Sequence, residues 1–150
     1  MQALSLPKAE LRISKKGTTL FVWCIARKKT LVLTPEEWVR QHVIHFLVNH
    51  LKVPIGLIAS EYSLKINKLS RRSDIVVFGK NSQPVLIVEC KSVDIPLSEK
   101  IFHQIAQYNF QLNVNYLMMT NGVHHVYCKI DRENNKLIYL ENLPHYENLI

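Results

Sequence analysis

Two carboxylates and an amine are spaced so that they could meet at one end of a hairpin in this 150-residue chain. Asp74 precedes a short apolar run, and Glu89 and Lys91 end a second one. Residues 79–83 (GKNSQ) between the two runs are typical of a turn, so the runs are predicted to be the antiparallel strands of a hairpin. A tight turn there places Asp74 opposite Glu89. Lys91, two residues further on, points to the same side as Glu89.

This arrangement predicts a metal site that takes phosphate. Two carboxylates that face each other repel unless a cation lies between them. Hard oxygen ligands suit Mg²⁺, which keeps positions for water and phosphate oxygens, and Mn²⁺ is expected to substitute for it. We therefore predict Asp74, Glu89 and the backbone carbonyl of Cys90 as metal ligands. Lys91 is predicted to orient the attacking water and to stabilise charge on the phosphate.

A surface salt bridge between neighbouring strands is the alternative explanation for a Glu-x-Lys pair. Against it, Glu89 ends an unbroken apolar run at residues 85–88, where a solvated strand face would alternate polar and apolar residues. Asp74 also has no obvious cation of its own in the sequence except Arg71 and Arg72, which come just before it.

The elements around the hairpin predict an α/β fold. Thr34 is a good N-cap, Pro35 suits the first helical position and Glu37 completes a capping box, so a helix begins there. The predicted helices span residues 34–51 and 97–111, and the predicted strands span 20–26, 30–33, 57–66, 74–78, 85–91, 116–120, 123–130 and 136–140.

The apolar character of the hairpin strands on both faces predicts central strands that are covered on both sides. We therefore expect a mixed central β-sheet flanked by helices on both faces. The length predicts a single domain over residues 1–150. It would consist of an N-terminal strand and hairpin extension (1–33), a core (34–126) and C-terminal strands (127–150).

Composition and charge narrow the function classes. Lys and Arg number 19 against 12 Asp and Glu, a net charge of +7 that suits nucleic acid as a partner, although a basic protein without such a partner is the alternative. No apolar run is long enough to span a membrane, and the N-terminus lacks a signal peptide, so a cytoplasmic location without membrane contact is expected. The chain has no Gly-x-x-x-x-Gly-Lys-Ser/Thr loop, so we expect no ATP site in it.

Several segments resemble one nuclease family. Asp74, the hairpin and the Glu89–Lys91 segment resemble the PD-(D/E)xK nuclease motif. Residues 71–77 (RRSDIVV), 86–91 (LIVECK) and 34–41 (TPEEWVRQ) resemble the corresponding parts of the N-terminal nuclease domain of type I restriction enzyme R subunits. Gln104 and Tyr108 resemble the glutamine–tyrosine motif shared with RecB-type nucleases. The resemblance runs from about residue 33 to residue 126.

The resemblance implies a restriction-endonuclease-like core and a Mg²⁺-dependent DNA endonuclease that hydrolyses phosphodiester bonds. The catalytic residues would then be Asp74, Glu89, Lys91, Gln104 and Glu36. The chain departs from the motif at Ser73, where the superfamily name has proline. It also lacks the ATP-driven motor of a complete R subunit, so a separate motor or specificity subunit is an expected partner in addition to DNA.

The resemblance also implies an acidic residue from the leading helix at the site. Glu36 is preferred, because it lies on the helix face predicted to turn to the sheet, whereas capping already explains Glu37. The alternative for Glu36 is a charge in the first helical turn that the helix dipole favours.

Arg71, Arg72 and Tyr108 are predicted to contact the nucleic-acid backbone. The alternatives are solvated arginines and a tyrosine that packs in the core. The alternative function for the whole chain is a catalytically silent module of the same fold that binds nucleic acid or a partner subunit.

Overall fold

The computed structural model describes the backbone of residues 1–150 and the side chains of all of them except Ile66. The strands are β1 (Ile13–Lys16), β2 (Thr19–Cys24), β3 (Lys29–Val32), β4 (Ile58–Ile66), β5 (Leu69–Phe78), β6 (Pro84–Cys90), β7 (Tyr116–Thr120), β8 (His125–Asp131) and β9 (Lys136–Leu140). The helices are α1 (Pro35–Asn49), α2 (Glu99–Leu112) and α3 (Tyr146–Leu149), with a turn of 3₁₀ helix at Ile55–Leu57.

The main sheet has six strands in the order β4-β5-β6-β7-β8-β9. The β6–β7 pair is parallel and the other neighbours are antiparallel, so the sheet is mixed, as predicted. The parallel pair requires a crossover, and α2 provides it. Strands β1, β2 and β3 form a separate antiparallel sheet of three strands, which corresponds to the predicted N-terminal extension.

Helices cover the main sheet on both faces. Val43 of α1 packs in one cluster with Ile75 and other residues of β5 and β6. Leu112 of α2 packs on the opposite face, in a cluster with Val76 and Ile87. Neighbouring residues on a strand point to opposite faces, so this division of Ile75 and Val76 places the helices on either side of the sheet. The predicted α/β architecture, with a central β5–β6 hairpin buried on both faces, is confirmed.

The helix starts follow the capping signals. The Thr34 side chain accepts a hydrogen bond from the Glu37 backbone N–H at 3.1 Å, and Pro35 occupies the first turn. Ser98 accepts from the Ile101 N–H at 3.4 Å to start α2. That helix ends at Asn113, which adopts the left-handed conformation with φ of 57°. No helix in the described part of the chain is long and apolar enough to cross a membrane.

Some boundaries differ from the predictions. β5 begins at Leu69 rather than at residue 74, because the polar residues that precede Asp74 pair with β4 in a long hairpin. β1 was not predicted, since all its residues are exposed and it has no apolar pattern. α3 was also missed, and α1 ends at Asn49, two residues earlier than expected.

Candidate active site

The predicted register of the central hairpin is confirmed. Ile75 pairs with Val88 and Val76 pairs with Ile87, so the next position along brings Asp74 beside Glu89. The regular pairing of β5 with β6 ends at Ile75 and Val88. Beyond it, Asp74 Oδ2 accepts a hydrogen bond from the backbone N–H of Cys90 at 2.8 Å. The Asp74 carboxylate is therefore fixed at the last residue of β6.

Glu89 is a buried carboxyl group beside Asp74. Burial and the negative charge of Asp74 together raise the pKa of Glu89 to about 7, against the opposing effect of the Arg71 and Lys91 cations. Arg71 Nη2 donates to Glu89 Oε1 in an ion pair. The two carboxylates thus repel each other in the middle of β5 and at the C-terminal end of β6, and a cation beside them relieves part of that repulsion.

Arg40 of α1 is the principal residue that sequence reasoning missed. It is only 6% exposed, and its Nη2 donates to Asp74 Oδ1 at 2.7 Å and to Glu36 Oε1 at 2.9 Å. Its Nη1 pairs with Glu37. Burial alone would lower the pKa of Arg40, but Asp74 and Glu37 outweigh burial and raise it. The cation that pairs with Asp74 is therefore Arg40 rather than Arg71 or Arg72. The sequence did contain one indication of a role for Arg40, because it lies one helical turn after two glutamates.

The two glutamates of α1 have different environments. The Glu36 side chain is 43% exposed and reaches the site through its ion pair with Arg40. Its charge also raises the pKa of the buried Cys90 thiol, to which burial contributes most. Glu37 is buried and accepts from Gln41 Nε2 at 2.7 Å in addition to Arg40. The capping explanation for Glu37 was therefore incomplete, because its carboxylate lies in this network of ion pairs.

Lys91 directly follows β6 and is half-buried. Its backbone N–H donates to the carbonyl of Thr120 at 2.8 Å, which extends the contact between β6 and β7 by one residue. Its positive charge is one of the influences that lower the pKa of Glu89. The lysine charge therefore acts on the Glu89 carboxyl group.

The predicted nucleic-acid residues separate into two groups. Arg71 is largely buried, and its guanidinium lies 4.8 Å from the ring centre of Tyr108 on α2. Tyr108 therefore reaches the site through Arg71, and its ring is 37% exposed rather than buried in the core. Arg72 has a 66% exposed side chain and bonds Glu61 at 2.6 Å. Gln104 is exposed on α2, in the same cleft as Tyr108.

The chemistry of the donors fits a Mg²⁺ ion. Magnesium commonly binds proteins through one or two carboxylates and completes its coordination with water and phosphate oxygens. Asp74 and Glu89 supply such a pair at the same end of the hairpin. Among the side chains that the structure describes, there is no group of three or more His, Cys, Asp and Glu residues that could hold a metal. A metal here would therefore depend on substrate and water for the rest of its ligands.

A mixed sheet covered on both faces, with two carboxylates and a lysine at the end of its central hairpin, defines a restriction-endonuclease-like fold. Residues 35–144 match the family model described as type I restriction enzyme R protein N terminus (HSDR_N). This match covers most of the chain, so the chain belongs to that family. The resemblance inferred from the sequence motifs is confirmed.

A solved structure with a similar chain is an HsdR fragment. It is described as a fragment of an HsdR subunit of a type I restriction enzyme from Vibrio vulnificus YJ016, with 21% identity and a TM-score of 0.43. The similarity covers 61% of this chain and 19% of that chain, so this chain spans about a fifth of its length. Comparison with curated proteins gave no match.

Proposed function

We propose that this chain is a metal-dependent deoxyribonuclease domain of the kind found at the N terminus of type I restriction R subunits. The observation that carries the proposal is the proximity of Asp74 on β5 to Glu89 near the C-terminal end of β6, with Lys91 two residues after Glu89. Membership of the R-protein family supports the same function. The substrate is DNA, and the bond cleaved is a phosphodiester.

Each residue at the site has a proposed role. Asp74, Glu89 and the Cys90 carbonyl would hold Mg²⁺, which, when bound, supplies positive charge to the scissile phosphate. Lys91 orients the attacking water and stabilises the charge that develops on the phosphate. Arg40 holds the Asp74 carboxylate in place and so acts as a positioning residue.

Residues around the metal ligands complete the proposal. Gln104 and Tyr108 contact the DNA strand beside the reacting phosphate, and Arg71 and Arg72 contribute positive charge there. Glu36 supports the site through Arg40. A motor or specificity subunit would be a separate partner, and any dependence on ATP would come from that partner.

The test of this proposal is DNA cleavage by purified protein in Mg²⁺ or Mn²⁺, with supercoiled, linear and single-stranded DNA. Lys91→Ala should lower the rate by about 100- to 1000-fold, the usual effect of removing one such electrostatic contact. Lys91→Arg should restore little, because a planar guanidinium does not replace a compact ammonium. Lys136→Ala, which removes an exposed lysine from β9, is the matched control and should cleave like wild type. Equal cleavage by wild type and Lys91→Ala would remove the catalytic role of this lysine.

A catalytically silent module is the second candidate, and a specific observation favours it. Arg40 pairs with Asp74 and Arg71 pairs with Glu89, so both carboxylates have a protein cation without any metal. Such a site would bind DNA or a subunit and cut nothing. It predicts that Mn²⁺ leaves the melting temperature of wild type unchanged, and that of Asp74→Asn as well, even if the two proteins differ in stability without metal.

A further inference from the structure

A cleft runs along the exposed side of α2, beside the start of β5. One part has a volume of about 290 Å³ and is lined by Leu69, Gln104, Gln107, Tyr108 and Gln111. A second part of about 440 Å³ shares Leu69 and Gln111 with the first and adds Asn67 and Lys68 from the β4–β5 turn. We call the two parts together the α2 cleft.

The α2 cleft is lined by groups that suit a nucleic-acid strand. Gln104, Gln107 and Gln111 recur at helical spacing, and each amide can both donate and accept hydrogen bonds. Tyr108 adds an aromatic ring that is 37% exposed. Lys68 lies at the far end, and none of the described residues that line the cleft is acidic. A polyanion that also carries polar sugar and base edges complements such a lining.

The cleft adjoins the candidate active site. Tyr108 lines the cleft, and its ring lies 4.8 Å from the guanidinium of Arg71. Arg71 in turn bonds Glu89. Its Nη1 is buried and has no hydrogen-bond partner among the described residues, so a donor is left unsatisfied beside Tyr108. A strand in the cleft would therefore continue to the carboxylates.

We infer that the α2 cleft binds the stretch of DNA strand next to the scissile phosphate. In this arrangement Lys68 contacts phosphates, and Gln107 and Gln111 bond sugars and base edges. The inference rests on the proposed nuclease function and extends it, because it assigns a binding track to residues outside the metal site.

The test compares lysines and glutamines by the salt dependence of DNA binding. Binding of a labelled DNA duplex is measured by fluorescence anisotropy over a range of salt concentrations, with EDTA present so that no cleavage occurs. Lys68→Ala should reduce the slope of log Kd against log salt by about 0.9, the release expected for one phosphate contact. Lys65→Ala is the matched control: it removes the same charge from the same hairpin. Lys65 directly follows Leu64, which packs on the α2 face, so it points to the opposite face.

The glutamines should behave differently from the lysine. Gln107→Ala and Gln111→Ala should each weaken binding about fivefold at every salt concentration without changing the slope, because a neutral hydrogen bond releases no counterion. Alanine is a good helix former, so both variants should fold. Gln83→Ala, in the β5–β6 turn at the opposite end of β5 from the cleft, should bind like wild type.

The outcomes separate the cleft from the nuclease function. If Lys65→Ala and Lys68→Ala change the slope equally, or if both glutamine variants bind like wild type, the cleft is not the DNA track, although cleavage by wild type would still support the nuclease. If the cleft variants behave as expected while Lys91→Ala cleaves like wild type, the DNA track stands and the catalytic role of Lys91 fails. Absence of any DNA binding by wild type overturns the inference and leaves the cleft to a protein partner.

Discussion

Replacing Arg40 with methionine should destabilise the protein strongly. The Arg40 side chain is 8% exposed and pairs with three carboxylates, those of Glu36, Glu37 and Asp74. Methionine fills a similar volume, so the substitution removes the charge without leaving a large cavity. The substitution leaves two carboxylates without their cation. The Glu37 side chain is 7% exposed and the Asp74 side chain is 14% exposed.

The expected magnitude follows from that burial. Removing one partner of a buried ion pair costs about 3–5 kcal/mol, because the other charge stays buried and unpaired. Gln41 and the Cys90 N–H still donate to these carboxylates, so we expect the lower part of that range. In a chain of this length, about 3 kcal/mol corresponds to a fall of roughly 10 °C in Tm. Adding Glu37→Gln to Arg40→Met should recover part of the loss, since the amide leaves no buried charge.

Urea unfolding of the wild type and the variants, followed by circular dichroism, measures this effect. Arg72→Met is the matched control: it removes the same charge, but the Arg72 side chain is 66% exposed and its pair with Glu61 lies at the surface. It should cost less than about 1 kcal/mol. If Arg40→Met and Arg72→Met had the same effect, the buried network around Arg40 would not be present in solution.

Three further predictions concern the carboxylates and one turn. Burial and Asp74 raise the pKa of Glu89 to about 7. Between about pH 4.5 and 7, Glu89 is therefore protonated in the folded, metal-free protein but ionised in the unfolded chain. The stability of the protein should fall by about 3 kcal/mol as pH rises through this window, and Glu89→Gln should abolish that slope in urea unfolding. Millimolar Mn²⁺ should raise the Tm of wild type but not of Asp74→Asn, and no rise in wild type would refute the metal site. Gly122→Ala should lower stability by about 1–3 kcal/mol in urea unfolding, because φ is +87° and a Cβ would lie 2.7 Å from Leu4 Cδ2 and 3.1 Å from Val39 Cγ2. An unchanged free energy of unfolding in urea would contradict the close contact between Gly122 and the N-terminal segment.

The central hairpin and the layers of the fold could be predicted from the sequence because their signals are local. The turn residues between the two apolar runs fix the register that pairs Ile75 with Val88. Thr34 and Pro35 mark the start of α1 with a capping pattern that needs no tertiary contact. The continuous apolar character of β5 and β6 indicates two buried faces, and α1 and α2 cover them.

The ion pairs of the candidate site could not be predicted, because they join residues that are far apart in the chain. Arg40 meets Asp74 only after α1 packs against β5, a contact across 34 positions of sequence. Arg71 would point away from Glu89 if the strand alternated strictly from Val76, whose side chain packs on the α2 face. The alternation of side chains along β5 must therefore be interrupted between Arg71 and Val76. Glu61, near this point on the neighbouring strand β4, has a φ of 51°, which departs from regular strand geometry. A period-two pattern read from sequence does not anticipate such an interruption.

The arrangement of these ion pairs leaves the proposed metal site open. Each carboxylate oxygen has two lone pairs, so a carboxylate that accepts one or two hydrogen bonds can still bind a cation. Asp74 uses Oδ1 for Arg40 and Oδ2 for the Cys90 N–H, and Glu89 uses Oε1 for Arg71. Each of these oxygens keeps a lone pair, and Glu89 Oε2 accepts no hydrogen bond among the described residues. The arginines therefore hold the two carboxylates at fixed positions and leave them able to bind a metal. The ion pairs are therefore compatible with the proposed metal site as well as with a silent module, and the response of the Tm to Mn²⁺ separates the two.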